Sequence, residues 1–218
     1  MNKLIAEAVG AFALVFAGTG AIVINEVSGG AVTHVGIAIT FGLVVMSMIY
    51  AVGDVSGAHL NPAVTLGFWF ARRLPGRWVL PYILSQLCGA TLASASMRLM
   101  FQGHPTLGAT VPAGSWQQSF TLEAILTALL MFVILCVAIG SKERGLMAGI
   151  AIGGVIGLEA MFAGPASGAS MNPARSLAPA LVSGRLTHVW IYLIAPVLGA
   201  LVAVPVWRMV YKDGGNDA

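Results

Sequence analysis

Along the chain, apolar residues run in long blocks separated by short polar or Gly/Pro-containing stretches. The blocks fall at roughly 4–26, 34–53, 78–101, 118–140, 145–163 and 188–211, each near the roughly 20 residues that a helix needs to cross a hydrocarbon core. Two further helical segments, at roughly 61–72 and 172–183, are too short to cross. Twelve residues rise about 18 Å against a core of about 30 Å, so each reaches about halfway. The pattern predicts an all-α membrane protein of six transmembrane helices and two re-entrant half-helices, in one domain covering 1–218.

Composition agrees. With 58% hydrophobic residues, 9% charged residues and a mean hydropathy of +0.89, the chain lies far from soluble domains, where about a quarter of residues are charged. The net charge of +3 follows from membrane topology and implies no nucleic-acid partner. Lys3 followed by an apolar run resembles a signal peptide, but the run is long for one and contains Glu7, so an uncleaved first span is expected. Cys88 and Cys136 sit in separate apolar blocks with no metal or redox spacing and are expected to be packing residues.

Orientation follows from where the basic residues collect. An even number of spans puts Lys3, Arg72, Arg73, Arg77, Lys142, Arg144, Arg208 and Lys212 on one side and only Arg98 and Arg185 on the other, with Arg175 unplaced. Both termini are therefore expected in the cytoplasm of a multi-pass protein of a cell membrane, plasma or bacterial inner.

An internal repeat organises the chain. SGAHLNPAVTLG at 56–67 and SGASMNPARSLA at 167–178 match at seven of twelve positions, with Asn61 and Asn172 separated by 111 residues. Upstream, Glu7 and Glu123 occupy corresponding places near the start of the first span of each unit. The units, approximately 1–104 and 115–218, each hold three spans. An odd number inserts the second copy from the opposite side, so the repeat is inverted. Irregular backbone at membrane depth is tolerated where it is buried in protein or lines a watery cavity. The two NPA triplets are therefore expected to meet near the midplane.

In Asn61-Pro62-Ala63 and Asn172-Pro173-Ala174, Asn suits an N-cap and Pro the first helical position. Two short helices meeting head to head would aim two positive dipole ends at one point, and each Asn amide could donate to a passing oxygen. Arg175 follows the second triplet where Val64 follows the first. An arginine at membrane depth is functional by default. Here it would hold water oxygens and oppose protons and metal cations. Glu7 and Glu123 are expected to be structural, accepting hydrogen bonds from the re-entrant loops. Gly145, Gly149, Gly153 and Gly157 form a GxxxG series, read as a helix-crossing face. His59 reads as a satisfied loop histidine. No Ser/His/Asp, zinc-ligand or phosphate-loop arrangement appears, so no enzyme, metal or cofactor is expected.

The paired SGAHLNPAVTLG and SGASMNPARSLAPA, the repeated glutamates and the six spans closely resemble the aquaporin, or major intrinsic protein, family. The resemblance covers nearly the whole chain. It implies a bundle of six helices and two half-helices, a homotetramer with a pore in each subunit, and passive conduction of water and small neutral solutes through the lipid membrane. It also implies a selectivity filter on the outer side of the NPA pair, placed here at Phe41, Ala160, Ala169 and Arg175. Strict water channels of the family carry His where this chain has Ala160. Glycerol facilitators carry Trp and Asp where it has Phe41 and Ser176.

The loop GHPTLGATVPAG and the run FAGPASGASMNPARSLAPAL are similar to the nodulin-26-like branch, whose members pass uncharged metalloid acids, glycerol or urea besides water. The widest of these carry a residue smaller than Phe41. The resemblance thus implies a channel for water and small uncharged solutes that excludes protons and ions. One alternative is a facilitator mainly for glycerol or uncharged metalloid acids. Another is a coupled secondary transporter with inverted repeats. Asp54 stands where many relatives of the family have His, and Glu159 adjoins a filter position.

Overall fold

The structure, a computed structural model, describes residues 1–139 and 146–212. Six helices are long and apolar enough to cross a membrane: α1 (Asn2–Val27), α2 (Thr33–Ser56), α4 (Val79–Met100), α5 (Trp116–Ala138), α6 (Ala148–Ser167) and α8 (Val189–Lys212). Between them lie the short helices α3 (Pro62–Phe70) and α7 (Pro173–Ser183). Lys142, Arg144 and Gly145 lie outside the described residues, as do the end of the expected fourth span and the start of the fifth.

The packing repeats. α1 lies against α2 and α4, and α5 lies against α6 and α8 in the same relation. The halves cross over through their short helices: α3 packs on α8 of the second half, and α7 packs on α4 of the first. The two halves also join where α2 meets α6. This is the inverted arrangement that three spans per unit dictate.

Glycines set the closest crossings. A Cβ at Gly89 of α4 would collide with the Ala8 carbonyl of α1, and one at Gly199 of α8 with the Ala124 carbonyl of α5. Each collision falls one residue after a repeated glutamate. At the α2–α6 seam, a Cβ on Gly42 would stand 2.6 Å from the Gly153 carbonyl oxygen and 3.2 Å from the Gly157 Cα. Gly149 is covered by the Tyr50 ring. In lipid, where apolar surface gains little by leaving the solvent, such small-residue contact is a main source of helix association.

The short helices begin and end for local reasons. Asn61 and Asn172 hold extended backbone as N-caps, and Pro62 and Pro173 occupy the first turn, where a missing N–H costs nothing. Gly184 closes α7 in the left-handed conformation at φ +77°, which glycine adopts freely. α3 is shorter than the sequence pattern suggested, ending before Ala71 and followed by Arg72 at φ +62°. Its nine residues and the eleven of α7 together rise about 30 Å, one full hydrocarbon thickness.

Candidate functional site: a pore between two half-helices

Each half-helix is preceded by a loop wrapped around a buried carboxylate. Glu7 Oε1 accepts from Ser56 Oγ at 2.7 Å and His59 N at 2.9 Å, and its Oε2 accepts from Leu60 N at 2.7 Å. Glu123 repeats the set on Ser167 Oγ at 2.8 Å, Ser170 N at 2.9 Å and Met171 N at 2.8 Å. Tyr82 and Tyr192 donate to the Ser56 and Ser167 carbonyls at 2.8 and 2.6 Å. The backbone repeats too: Ala58 and Leu60 carry positive φ, as do Ala169 and Met171. Such values are costly for residues with a Cβ. A carboxylate taking two successive N–H groups holds the loop in this shape.

The asparagines then join the halves. Asn61 Oδ1 caps Ala63 N at 2.8 Å, while its Nδ2 donates to the Met171 carbonyl at 2.7 Å. Asn172 Oδ1 caps Ala174 N at 3.0 Å and Arg175 N at 3.3 Å, and its Nδ2 donates to the Leu60 carbonyl at 2.9 Å. Each amide carries two hydrogens, so one fixes the opposite loop and one remains. This sharpens the sequence expectation, in which the whole N–H₂ was left to the pore.

Both asparagines line a cavity of about 410 Å³. Its lining follows α2 from Phe41 to Asp54, a rise of about 20 Å. One wall is aliphatic, with Val45, Ile134 and Ile152, and the other is the polar backbone of the two loops. Phe41, Ala160, Ala169 and Arg175 all line it. The Arg175 guanidinium carbon lies 5.1 Å from the Phe41 ring centroid, within cation–π range. Its Nη1 donates to the Gly108 carbonyl at 2.9 Å, and its Nε has no partner among the described residues. Arg175 is 2% exposed and has no ion pair among the described residues, where most of its five donors are unspent.

Two crossed asparagine caps and one buried arginine thus line one cavity between the half-helices. The profile of the major intrinsic protein family matches residues 1–207. The chain belongs to that family. Its curated relatives include an aquaporin NIP1-1 of Zea mays, 50% identical over 96% of this chain and 75% of the relative. Nodulin-26 of Glycine max is 48% identical over 98% of this chain and 79% of the relative. Among solved structures, the aquaglyceroporin from Plasmodium falciparum aligns with a TM-score of 0.83 over 97% of both chains at 24% identity, a likeness of fold. As a member of this family the protein is a membrane channel and not an enzyme.

In this major intrinsic protein the remaining polar candidates separate. Asp54 is exposed at one end of the cavity lining. Glu159 is 2% exposed and not part of that lining, and neither of its oxygens has a partner among the described residues. His59 lines the cavity, bonds Thr65 Oγ1 through Nδ1 at 3.2 Å and stacks on Phe68. Cys88 and Cys136 are free. Sequence reasoning missed Gln86, whose Nε2 bonds Glu7 Oε2 at 2.7 Å and Thr65 Oγ1 at 2.9 Å. It also missed the Gly108 carbonyl, and Thr110 and Ser170, which hold the Ser176 hydroxyl. The spacing of Tyr82 and Tyr192, close to that of the asparagines, was the one available signal for the tyrosines.

Proposed function

We propose that this channel is a facilitator for small uncharged solutes, of the type of glycerol or an uncharged metalloid acid, that also passes water and excludes protons and ions. The observation that carries the reading is the pair of alanines, Ala160 and Ala169, lining the same cavity as Phe41 and Arg175. Two methyl groups leave width and an apolar surface, while the guanidinium supplies donors for hydroxyl oxygens. The nodulin-26-type relatives favour this reading over one in which water is the main cargo.

Exclusion of cations follows from electrostatics. The positive ends of two half-helices and the Arg175 charge act where water is scarce and screening weak. In this reading Asn61 and Asn172, with Pro62, Ala63, Pro173 and Ala174 shaping their helix starts, orient permeating oxygens at the midpoint. Phe41, Ala160, Ala169 and Arg175 form the filter. Both termini are cytoplasmic, which the clustering of Arg72, Arg73 and Arg208 around one concavity supports, as does Lys3 lying over the Trp78 ring. The working unit is a homotetramer in the lipid bilayer.

The test is stopped-flow light scattering on proteoliposomes with an impermeant osmolyte. Passive water flux well above that of protein-free liposomes is expected. Solute uptake that accumulates against its gradient when an ion gradient is imposed would instead mark a coupled transporter.

A further inference from the structure

The loop between α4 and α5 supplies the carbonyl that holds Arg175, and that loop is pinned by one histidine. His104 is 7% exposed. Its Nδ1 accepts from Leu107 N at 3.0 Å and Thr106 N at 3.4 Å, while its Nε2 meets Glu26 Oε2 of α1 at 2.9 Å. These contacts assign the tautomer: Nδ1 bears the lone pair and Nε2 the proton.

Downstream the chain is fitted closely. Leu107 is wholly buried against Val23 and Met97. Gly108, at φ +72°, lies so near α1 that a Cβ would stand 2.9 Å from Thr19 Cβ, and its carbonyl takes the one hydrogen bond that the Arg175 guanidinium makes among the described residues.

We infer that His104 is a positioning residue for Arg175, holding the Gly108 carbonyl in place only while its Nδ1 is unprotonated, so that acid releases the guanidinium into the pore and lowers flux. A second ring proton would sit on Nδ1, where it would face the Leu107 and Thr106 N–H donors. Donor would oppose donor, and the turn at 104–108 would open. The charged groups around the ring come from every element packed on it. Glu26 of α1 favours the added charge. Arg98 of α4, whose Nη1 holds the His104 carbonyl at 2.8 Å, opposes it, as does Arg185 beyond α7, whose Nε reaches the Pro105 carbonyl at 3.5 Å. Positioning is therefore complete while Nδ1 carries its lone pair and is lost when that nitrogen takes a proton. Once freed, the guanidinium keeps the Phe41 ring beside it and extends into the cavity that both residues line.

The inference rests on reading Arg175 as a pore-lining group. Water flux above the protein-free rate at neutral pH tests that reading separately. The decisive experiment measures water flux in proteoliposomes with equal pH on both sides, from about pH 7.5 to about pH 5.5, across the range where imidazole changes charge. Wild-type flux is expected to fall about threefold or more. His104→Asn keeps an acceptor near the Nδ1 position and cannot take the charge; it is expected to conduct at neutral pH and stay flat. Glu26→Gln removes the carboxylate that favours the charged ring, so its fall should move to lower pH. A flat or rising wild-type profile would overturn the inference, and so would a His104→Asn profile that falls like the wild type's or a Glu26→Gln fall that moves to higher pH.

Discussion

Arg175 rests with its guanidinium carbon 5.1 Å from the centroid of the Phe41 ring, so this buried cation of the cavity lining is backed by an aromatic face. The ring quadrupole attracts the cation without neutralising its charge, which in the proposed function opposes permeating cations. In the proposed filter, the size of the remaining lining residues decides what passes. The first prediction concerns those residues.

Ala160→His puts a bulky, polar ring into the cavity that Phe41 and Arg175 also line. Solute flux should fall by about tenfold, the equivalent of a barrier increase near 1.4 kcal/mol, while water flux changes by less than about half of that increase. Paired stopped-flow records with an impermeant osmolyte and with glycerol check it. An equal drop in both would mean that Ala160 is not at the narrowest section.

Glu123→Gln should destabilise the second half-helix loop. The amide group that replaces one carboxylate oxygen would face either the Met171 N–H or the Ser167 and Ser170 donors. A buried donor left unpaired costs about 1–3 kcal/mol. A lower melting temperature in detergent and reduced water flux are expected, and unchanged values of both would contradict the cradle role.

Gly89→Val and Gly199→Val should be equivalent in effect, because each drives a side chain into a carbonyl on the helix opposite, that of Ala8 or Ala124. Overpacking of this kind costs about 1–3 kcal/mol or more. Thermal denaturation of the two variants side by side tests the structural equivalence of the halves. Sensitivity at one site alone would argue against it.

Glu159→Met should raise stability without changing flux. The carboxyl is buried with neither oxygen partnered among the described residues, and replacing an unsatisfied polar group by an apolar one of similar length recovers about 1–3 kcal/mol. A higher melting temperature with wild-type water flux is the expected result. A loss of stability would show that the carboxyl has a partner in the assembled membrane protein.

Much of this architecture was legible in the sequence because lipid imposes length. A helix that crosses must be long and apolar, so α1 and α5 announce themselves, and so do segments such as α3 that are too short. The Asn-Pro start of each half-helix was readable for a different reason: capping is local, and Asn61 and Asn172 satisfy neighbours within three residues. The Arg175 partner was not readable. Gly108 lies 67 positions away and contributes a carbonyl, which every residue owns, so no side-chain pattern marks it. Gln86 was hidden similarly, as one polar residue in an apolar span whose partners Glu7 and Thr65 come from two other elements. The unpartnered state of Glu159 depends on what surrounds it in space, and a linear pattern carries no record of that.

The most direct test of the central claim is the response of wild-type proteoliposomes to an inward glycerol gradient. A passive facilitator gives rapid shrinkage as water leaves, followed by re-swelling as glycerol and water enter. That second phase should run about tenfold or more faster than in protein-free liposomes, the effect of lowering a barrier by about 1.4 kcal/mol. Rapid shrinkage followed by re-swelling at the protein-free rate would contradict the account, because it would describe a pore that passes water and rejects the solute.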